Sequence, residues 1–217
     1  MKIHTIFIFL ISVLLSQHAL AQFKFGVTGG LNISKLTVSD DDYKEYIDKV
    51  RPGFFVGPTA IYNVSKTGLS FESAVFFDFR GAASKDNSNS KSIYCKTLQI
   101  PLNIRYGINY AETVYWFIFT GPQFGLTLGN RDHYIISGKS KSTGHALERH
   151  WIDERTTFSW NFGIGGVVMD HIQVKLSYNL ALRKTGEIQQ RDLIDGTAIS
   201  LTNGKAHACQ VAISYLF

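Results

Sequence analysis

The sequence predicts an all-β protein, an eight-stranded antiparallel up-and-down transmembrane β-barrel with four long extracellular loops. Three observations support this prediction: segments that alternate apolar and polar residues, connections that alternate between long and short, and aromatic residues near the segment ends. Alternation with a period of two places the two kinds of residue on opposite faces of a strand. Segments of about 10–14 residues are long for a soluble sheet and suit strands that cross a membrane.

The composition of the 217-residue chain excludes several classes of protein. Its 45% hydrophobic and 13% aromatic content is higher than a disordered chain carries. Two cysteines are too few for a disulfide-rich fold, and the 19 glycines show no triplet repeat. The net charge of +5 is distributed along the chain without a basic stripe, so we expect no nucleic-acid partner.

The first 21 residues have the features of a secretory signal peptide. Lys2 precedes an apolar run over 6–15, and Ala19-Leu20-Ala21 forms a small-residue cleavage pattern. As a helix this run rises only about 15 Å, against a hydrocarbon core of roughly 30 Å. The pattern therefore favours a cleaved signal over a membrane anchor, with 1–21 as signal peptide and 22–217 as the barrel domain.

Eight candidate strands follow the signal. The clearest is 172–183, where six apolar residues face one side and polar residues mostly face the other. The segment 113–127 is apolar on both faces, so its register stays open. In chain order the candidates begin with the segment that starts at Phe23, continue with 53–64, 69–80, 94–107, 113–127, 156–169 and 172–183, and end with the segment that closes on Phe217.

The connections between these strands alternate strictly in length. Outer-membrane barrels have long extracellular loops and short periplasmic turns, and here all the long connections fall at one end. Only residues 40–50 show helical spacing, which predicts a short helix in the first long loop. The long connections are 33–52, 81–93, 128–155 and 184–204, and the short ones are 65–68, 108–112 and 170–171.

Aromatic residues near the strand ends are typical of the interface girdles of membrane barrels. An exported soluble barrel that binds a small apolar ligand is the alternative, because its strands also alternate but turn the apolar face inward. The aromatic residues are Phe23, Phe25, Phe54, Phe55, Phe77, Phe79, Tyr94, Tyr106, Tyr115, Trp116, Trp160, Tyr215 and Phe217.

The polar faces predict a barrel interior that contains charged residues. Eight strands leave a lumen just wide enough for side chains to fill, and buried charges persist only when paired. We therefore expect a plug of paired groups rather than an open pore, with a narrow polar conduit as the alternative. The predicted interior network comprises Glu72, Arg105, Lys175, Asp78 and Arg80, with Arg105 and Lys175 as the candidate partners of Glu72. Other inward positions are Lys24, Gln99, Asn103, Asn161, Asn179, Arg183 and Gln210.

The third long loop carries residue types that could support chemistry, but their spacing forms no catalytic constellation. His145 and His150 are five residues apart rather than the four of a helical zinc motif. We therefore expect no enzyme activity, no cofactor and no metal, and an outer-membrane enzyme is the less favoured alternative. The residues of the third loop are Asp132, His133, Ser137, Ser140, Ser142, His145, Glu148, His150 and Asp153.

Cys95 and Cys209 are predicted on opposite faces of distant strands, as free thiols.

Several short runs resemble the PorT-like outer-membrane β-barrel family. They start at Phe23, Gly53, Leu98, Thr120 and Ile213, and their order and spacing cover the mature chain. The resemblance implies a small barrel of the Gram-negative outer membrane; one named member of the family takes part in protein secretion.

We therefore expect an integral outer-membrane protein without an open pore that acts through its extracellular loops in binding, adhesion or secretion-related assembly. It would be a monomer in outer-membrane lipid, with other envelope or secretion proteins as partners.

Overall fold

The computed structural model describes residues 22–38, 51–64, 67–85, 90–111, 114–129, 131–139, 146–192 and 198–217. The predicted signal peptide and the predicted helix over 40–50 lie outside these residues. The strands are β1 Phe23–Val38, β2 Arg51–Asn63, β3 Leu69–Ala74, β4 Phe76–Lys85, β5 Ser90–Ala111, β6 Val114–Leu128, β7 Asp132–Lys139, β8 Ala146–Asp153, β9 Thr156–Val168, β10 Ile172–Ala181, β11 Gly186–Asp192 and β12 Ala198–Leu216.

The strands form a closed eight-stranded antiparallel barrel, which confirms the predicted fold class. Around the barrel the order is β1, β2, then β3 and β4 as two halves of one barrel strand, then β5, β6, β9, β10 and β12. Strand β12 pairs with β1 and closes the sheet. Closure leaves no unpaired sheet edge within the membrane, where the lipid cannot satisfy backbone groups. Short turns connect β2 to β3, β5 to β6 and β9 to β10 at one end, the periplasmic end.

The barrel strand predicted as 69–80 is divided into β3 and β4 at Val75. Its neighbours explain the interruption, because the register places Pro58 of β2 opposite Val75 and Pro101 of β5 opposite Ala74. Proline has no N–H to donate, so the hydrogen-bond ladder is weakened on both sides of the strand at the same level. The Val75 N–H still donates to the Pro58 carbonyl at 3.1 Å.

The long connections predicted as loops contain strands of their own. The connection 128–155 holds the hairpin of β7 and β8, and 184–204 holds β11 and the start of β12. These strands pair in the order β12, β11, β8 and β7, and we call β7, β8, β11 and 198–204 of β12 the extracellular sheet. The sequence did not predict them because these segments lack the continuous apolar face of a membrane-spanning strand.

The outer face of the barrel is an apolar belt. Large apolar side chains are exposed along its strands, including Leu31, Ile118, Val211 and Ile213. Most of the predicted girdle residues are also exposed, namely Phe23, Phe25, Phe54, Phe77, Tyr106, Trp116, Trp160, Tyr215 and Phe217. Among the described residues, no helix is long and apolar enough to cross a membrane.

Phe55 and Tyr115 depart from the predicted girdles. Each directly adjoins an exposed aromatic residue on its strand, so alternation turns it to the opposite face. Phe55 is buried and packs against Phe76, and Tyr115 is half-buried against an interior cluster that contains Phe117. In each of these two adjacent aromatic pairs, one ring therefore faces the lipid and the other faces the lumen.

Glycines on β9 explain the register of β6, whose two faces are both apolar. Phe117 and Phe119 are buried in the lumen, while Trp116 and Ile118 are exposed outside. A Cβ added to Gly165 would lie 2.4 Å from the Phe117 ring, and one added to Gly163 would lie 2.7 Å from the Phe119 ring. The missing side chains thus leave room for both rings inside a narrow barrel.

Candidate functional site

A buried ion cluster crosses the lumen in the periplasmic half of the barrel. Glu72 on β3 accepts a hydrogen bond of 2.9 Å from the Arg105 guanidinium on β5. Its other carboxylate oxygen accepts one from the Lys175 ammonium on β10, which lies across the barrel. All three side chains are buried, and we call this group the lower cluster.

Aromatic rings pack directly on the lower cluster. The Arg105 guanidinium carbon lies 3.7 Å from the centre of the Phe117 ring, and the Lys175 nitrogen lies 5.7 Å from that of Phe119. Cations in this position are attracted to the negative face of the ring. Both rings belong to a buried apolar cluster with Ile61, Val167 and Leu216, which fills the lumen at this end.

A second polar group, the upper cluster, comprises Asn32, Asp78 and Arg80. The Asn32 side-chain amide donates to one oxygen of Asp78 at 2.6 Å, and the Arg80 Nε donates to the other at 2.6 Å. Asn32 lies on the polar face of β1, and that position is the sequence signal that could have identified it. Its fully buried side chain makes it an integral part of this group.

The predicted network of Glu72, Arg105, Lys175, Asp78 and Arg80 is therefore divided into two clusters. Between them on the same barrel strand, Ala74 and Phe76 face inward and pack with Phe55 and Ala212 in a second apolar cluster. The sequence placed all five charged residues on inward faces and named Arg105 and Lys175 as partners of Glu72, but it gave no information on the height of Asp78 and Arg80 relative to them. The structure has two ion clusters separated by an apolar layer.

Amides and hydroxyls occupy much of the remaining lumen. Gln123 donates to Gln99 at 2.9 Å, and Gln99 donates to the Thr97 hydroxyl at 2.9 Å. The Thr28 hydroxyl is bonded to Thr59 at 2.6 Å. Of the other predicted inward residues, Asn103, Asn161, Asn179 and Gln210 are buried, Lys24 is half-buried, and Arg183 is exposed because it lies beyond the end of β10.

In the third connection, His150 on β8 lies between two carboxylates. Its Nδ1 is 2.5 Å from an Asp132 oxygen, and its Nε2 is 3.3 Å from a Glu148 oxygen. The Trp151 indole N–H donates to Asp153 at 2.7 Å. The other predicted residues lie where side chains are not described: His133 and Ser137 are in β7, and Ser140, Ser142 and His145 are outside the described residues.

Lys184 links two segments at the base of the extracellular sheet. Its ammonium lies 2.8 Å from Glu154 and 3.3 Å from Glu187. The hydrogen bonds that the ammonium donates to both carboxylates raise the pKa of Lys184 above its ordinary value. The contact joins the connection before β9 to the start of β11 where the chain leaves the barrel.

The two cysteines lie on different strands. Cys95 is half-buried on β5, Cys209 is exposed on β12, and neither forms a disulfide. Within the described part of the chain, no three His, Cys, Asp or Glu side chains are grouped so that they could hold a metal ion.

Comparison with a solved outer-membrane protein shows the same fold. The chain is 12% identical to the outer membrane protein OprG from Pseudomonas aeruginosa, covering 89% of this chain and 95% of that one with a TM-score of 0.50. A major outer membrane protein from Thermus thermophilus is 11% identical over 90% of this chain and 99% of its own, with a TM-score of 0.48. No curated protein matches the sequence.

The sequence also matches a protein-family model over residues 16–186 of the 217. The match covers most of the barrel and agrees with the closed fold and its exposed apolar belt. The finer resemblance to PorT-like proteins stays a prediction. The chain belongs to the outer membrane protein beta-barrel domain family, and its location is the cell outer membrane.

Proposed function

We propose that this protein acts through its extracellular surface, in binding, adhesion or secretion-related assembly, as a monomeric barrel without an open pore. The observation that carries the proposal is the filled lumen. Two apolar clusters and two ion clusters occupy successive levels of the described barrel. A filled lumen is a scaffold that holds the extracellular segments in place.

The extracellular sheet supports a role at the cell surface. Its strands continue the barrel wall beyond the membrane, since β7 follows β6, β8 precedes β9 and β11 follows β10. Ion pairs of Lys184 with Glu154 and Glu187 link the chain segments at the junction of the barrel and the extracellular sheet. A solvated sheet that continues the barrel wall is a suitable surface for contact with another envelope or secretion protein.

The surroundings of His150 support a non-enzymatic role. In a catalytic triad one ring nitrogen of the histidine contacts a carboxylate and the other contacts the nucleophile. Here Asp132 and Glu148 lie at the two ring nitrogens, so the arrangement differs from that of a serine triad. This arrangement suits a structural link between β7 and β8.

Photocrosslinking in cells tests the proposed surface. A crosslinking amino acid placed at the exposed Arg155 or Arg183, at the base of the extracellular sheet, is expected to trap a discrete protein adduct. The matched control is Asp170, which is exposed in a periplasmic turn and is expected to give no adduct of that size. Adducts of equal size and yield from both ends, or from Asp170 alone, would contradict a function located at the extracellular sheet.

A further inference from the structure

A cavity of about 250 Å³ opens at the periplasmic end of the barrel, opposite the extracellular sheet. It lies among the short turns, with Asn63, Val64 and Gly68 on one side and Asp170 on the other. A volume of this size equals that of roughly eight water molecules. The cavity extends from the rim to Arg105 of the lower cluster, so it connects the periplasm with a buried charge.

Arg105 lines this cavity and belongs to the lower cluster. Its side chain is 3% exposed, and one guanidinium nitrogen donates to Glu72. The Nε is buried and has no hydrogen-bond partner among the described residues. Because this Nε has no accessible surface, a ligand in the cavity would meet Arg105 through its positive charge rather than through this N–H.

The charge of the lower cluster is unbalanced. Two cations, Arg105 and Lys175, face the single carboxylate of Glu72, which leaves one excess positive charge. Asp78 is six residues further along the same barrel strand, about 20 Å away at 3.3 Å per residue, and it is held by Arg80. Burial of an unbalanced charge is unfavourable, so the lower cluster favours an additional anion close by.

We propose that the periplasmic cavity binds a small organic carboxylate, whose negative charge lies beside Arg105 and balances the excess positive charge of the lower cluster. Lys24 at the rim provides a second cation; its ammonium lies 3.8 Å from Asp170, and both side chains are partly or largely exposed. The site is independent of the extracellular function, because it lies at the other end of the barrel.

The chemistry of the cavity selects this class of ligand. One excess positive charge matches a monoanion, whereas a phosphate group carries about −1.5 to −2 at pH 7. The remaining wall is mixed, because Ile61, Val64, Leu69, Val167 and Leu216 are apolar whereas Asn63, Tyr115 and Asp170 at the rim are polar. A carboxylate with a short aliphatic chain therefore satisfies both the cationic base and the apolar sides.

Thermal unfolding of the full barrel in detergent tests the proposal, with pentanoate as the probe at constant ionic strength. Pentanoate is expected to raise the Tm saturably, while pentanol and pentylammonium are not. Lys24→Gln removes the rim cation and should therefore weaken pentanoate binding, so that the half-saturating concentration rises about threefold. Val64→Phe fills the cavity without a change in charge and should abolish the effect, whereas Lys205→Gln, an exposed lysine at the other end, should leave it unchanged.

Lys175→Gln tests the charge balance separately, because Lys175 does not line the cavity. Removing the excess charge should weaken pentanoate binding about tenfold even though no cavity contact changes. An equal Tm increase in Val64→Phe, an equal effect of pentanol, or a larger effect of inorganic phosphate than of pentanoate would overturn the proposal. Unchanged affinity in a folded Lys175→Gln barrel would overturn the role of the excess charge.

Discussion

Replacement of Glu72 by alanine is expected to lower the free energy of unfolding of the barrel by about 3–5 kcal/mol. The substitution removes the only carboxylate that contacts Arg105 and Lys175 in the described lower cluster and leaves two buried cations side by side. Glu72→Gln keeps the shape of the side chain but loses its charge, so it should also destabilise strongly. Urea unfolding in lipid vesicles, followed by the heat-dependent shift in gel mobility, measures the effect.

Two carboxylates that are only partly buried provide the controls. Glu154 and Glu187 also pair with a lysine, but the side chains of Glu154 and Lys184 are substantially exposed to solvent. Exposed ion pairs contribute at most about 1 kcal/mol, so alanine at either position should have a small effect. A Glu72→Ala barrel as stable as Glu154→Ala would show that the lower cluster does not hold the barrel together.

Replacement of Phe117 by alanine is the second large effect that we expect, at about 3–5 kcal/mol. The ring is 3% exposed, lies over Gly165 and covers the Arg105 guanidinium. Glycine at 165 cannot extend into the space that the ring leaves, so a cavity forms and Arg105 loses its aromatic contact. The same unfolding assay measures the loss.

Ile118 is the control for Phe117, since it is the next residue on β6 and faces lipid. Ile118→Ala loses the favourable free energy of moving a few methylene groups from water into lipid. It creates no cavity, because lipid chains fill the space. Its effect should therefore be clearly smaller. An Ile118→Ala barrel that is less stable than Phe117→Ala would mean that the two faces of β6 have been exchanged.

The fold could be predicted because apolar and polar residues alternate along the strands. The segment 172–183 alternates without exception on its apolar face, and the structure has β10 at Ile172–Ala181. The register of β6 could not be predicted, since Phe117 and Phe119 are as apolar as their lipid-facing neighbours. The register is decided by two glycines on β9, which lie opposite the two rings. These strands are far apart in sequence, so their contact cannot be inferred from β6 alone.

The interior site was predictable by face and not by height. Alternation places Glu72 and Asp78 on the same side of their strand, and the structure buries both. The apolar layer between them depends on Phe55 and Ala212 from other strands, and sequence spacing gives no information about such contacts. The strands of the extracellular sheet were missed for a related reason, because outside the membrane polar residues suit both faces.

Solute flux through liposomes that contain the purified barrel tests most directly whether its lumen is closed. Because side chains fill successive levels of the described lumen, we predict that glucose enters no faster than it enters protein-free liposomes. A general porin reconstituted at the same protein-to-lipid ratio serves as the positive control. Glucose entry at a rate comparable to that of the porin would contradict a filled barrel and would indicate a channel instead.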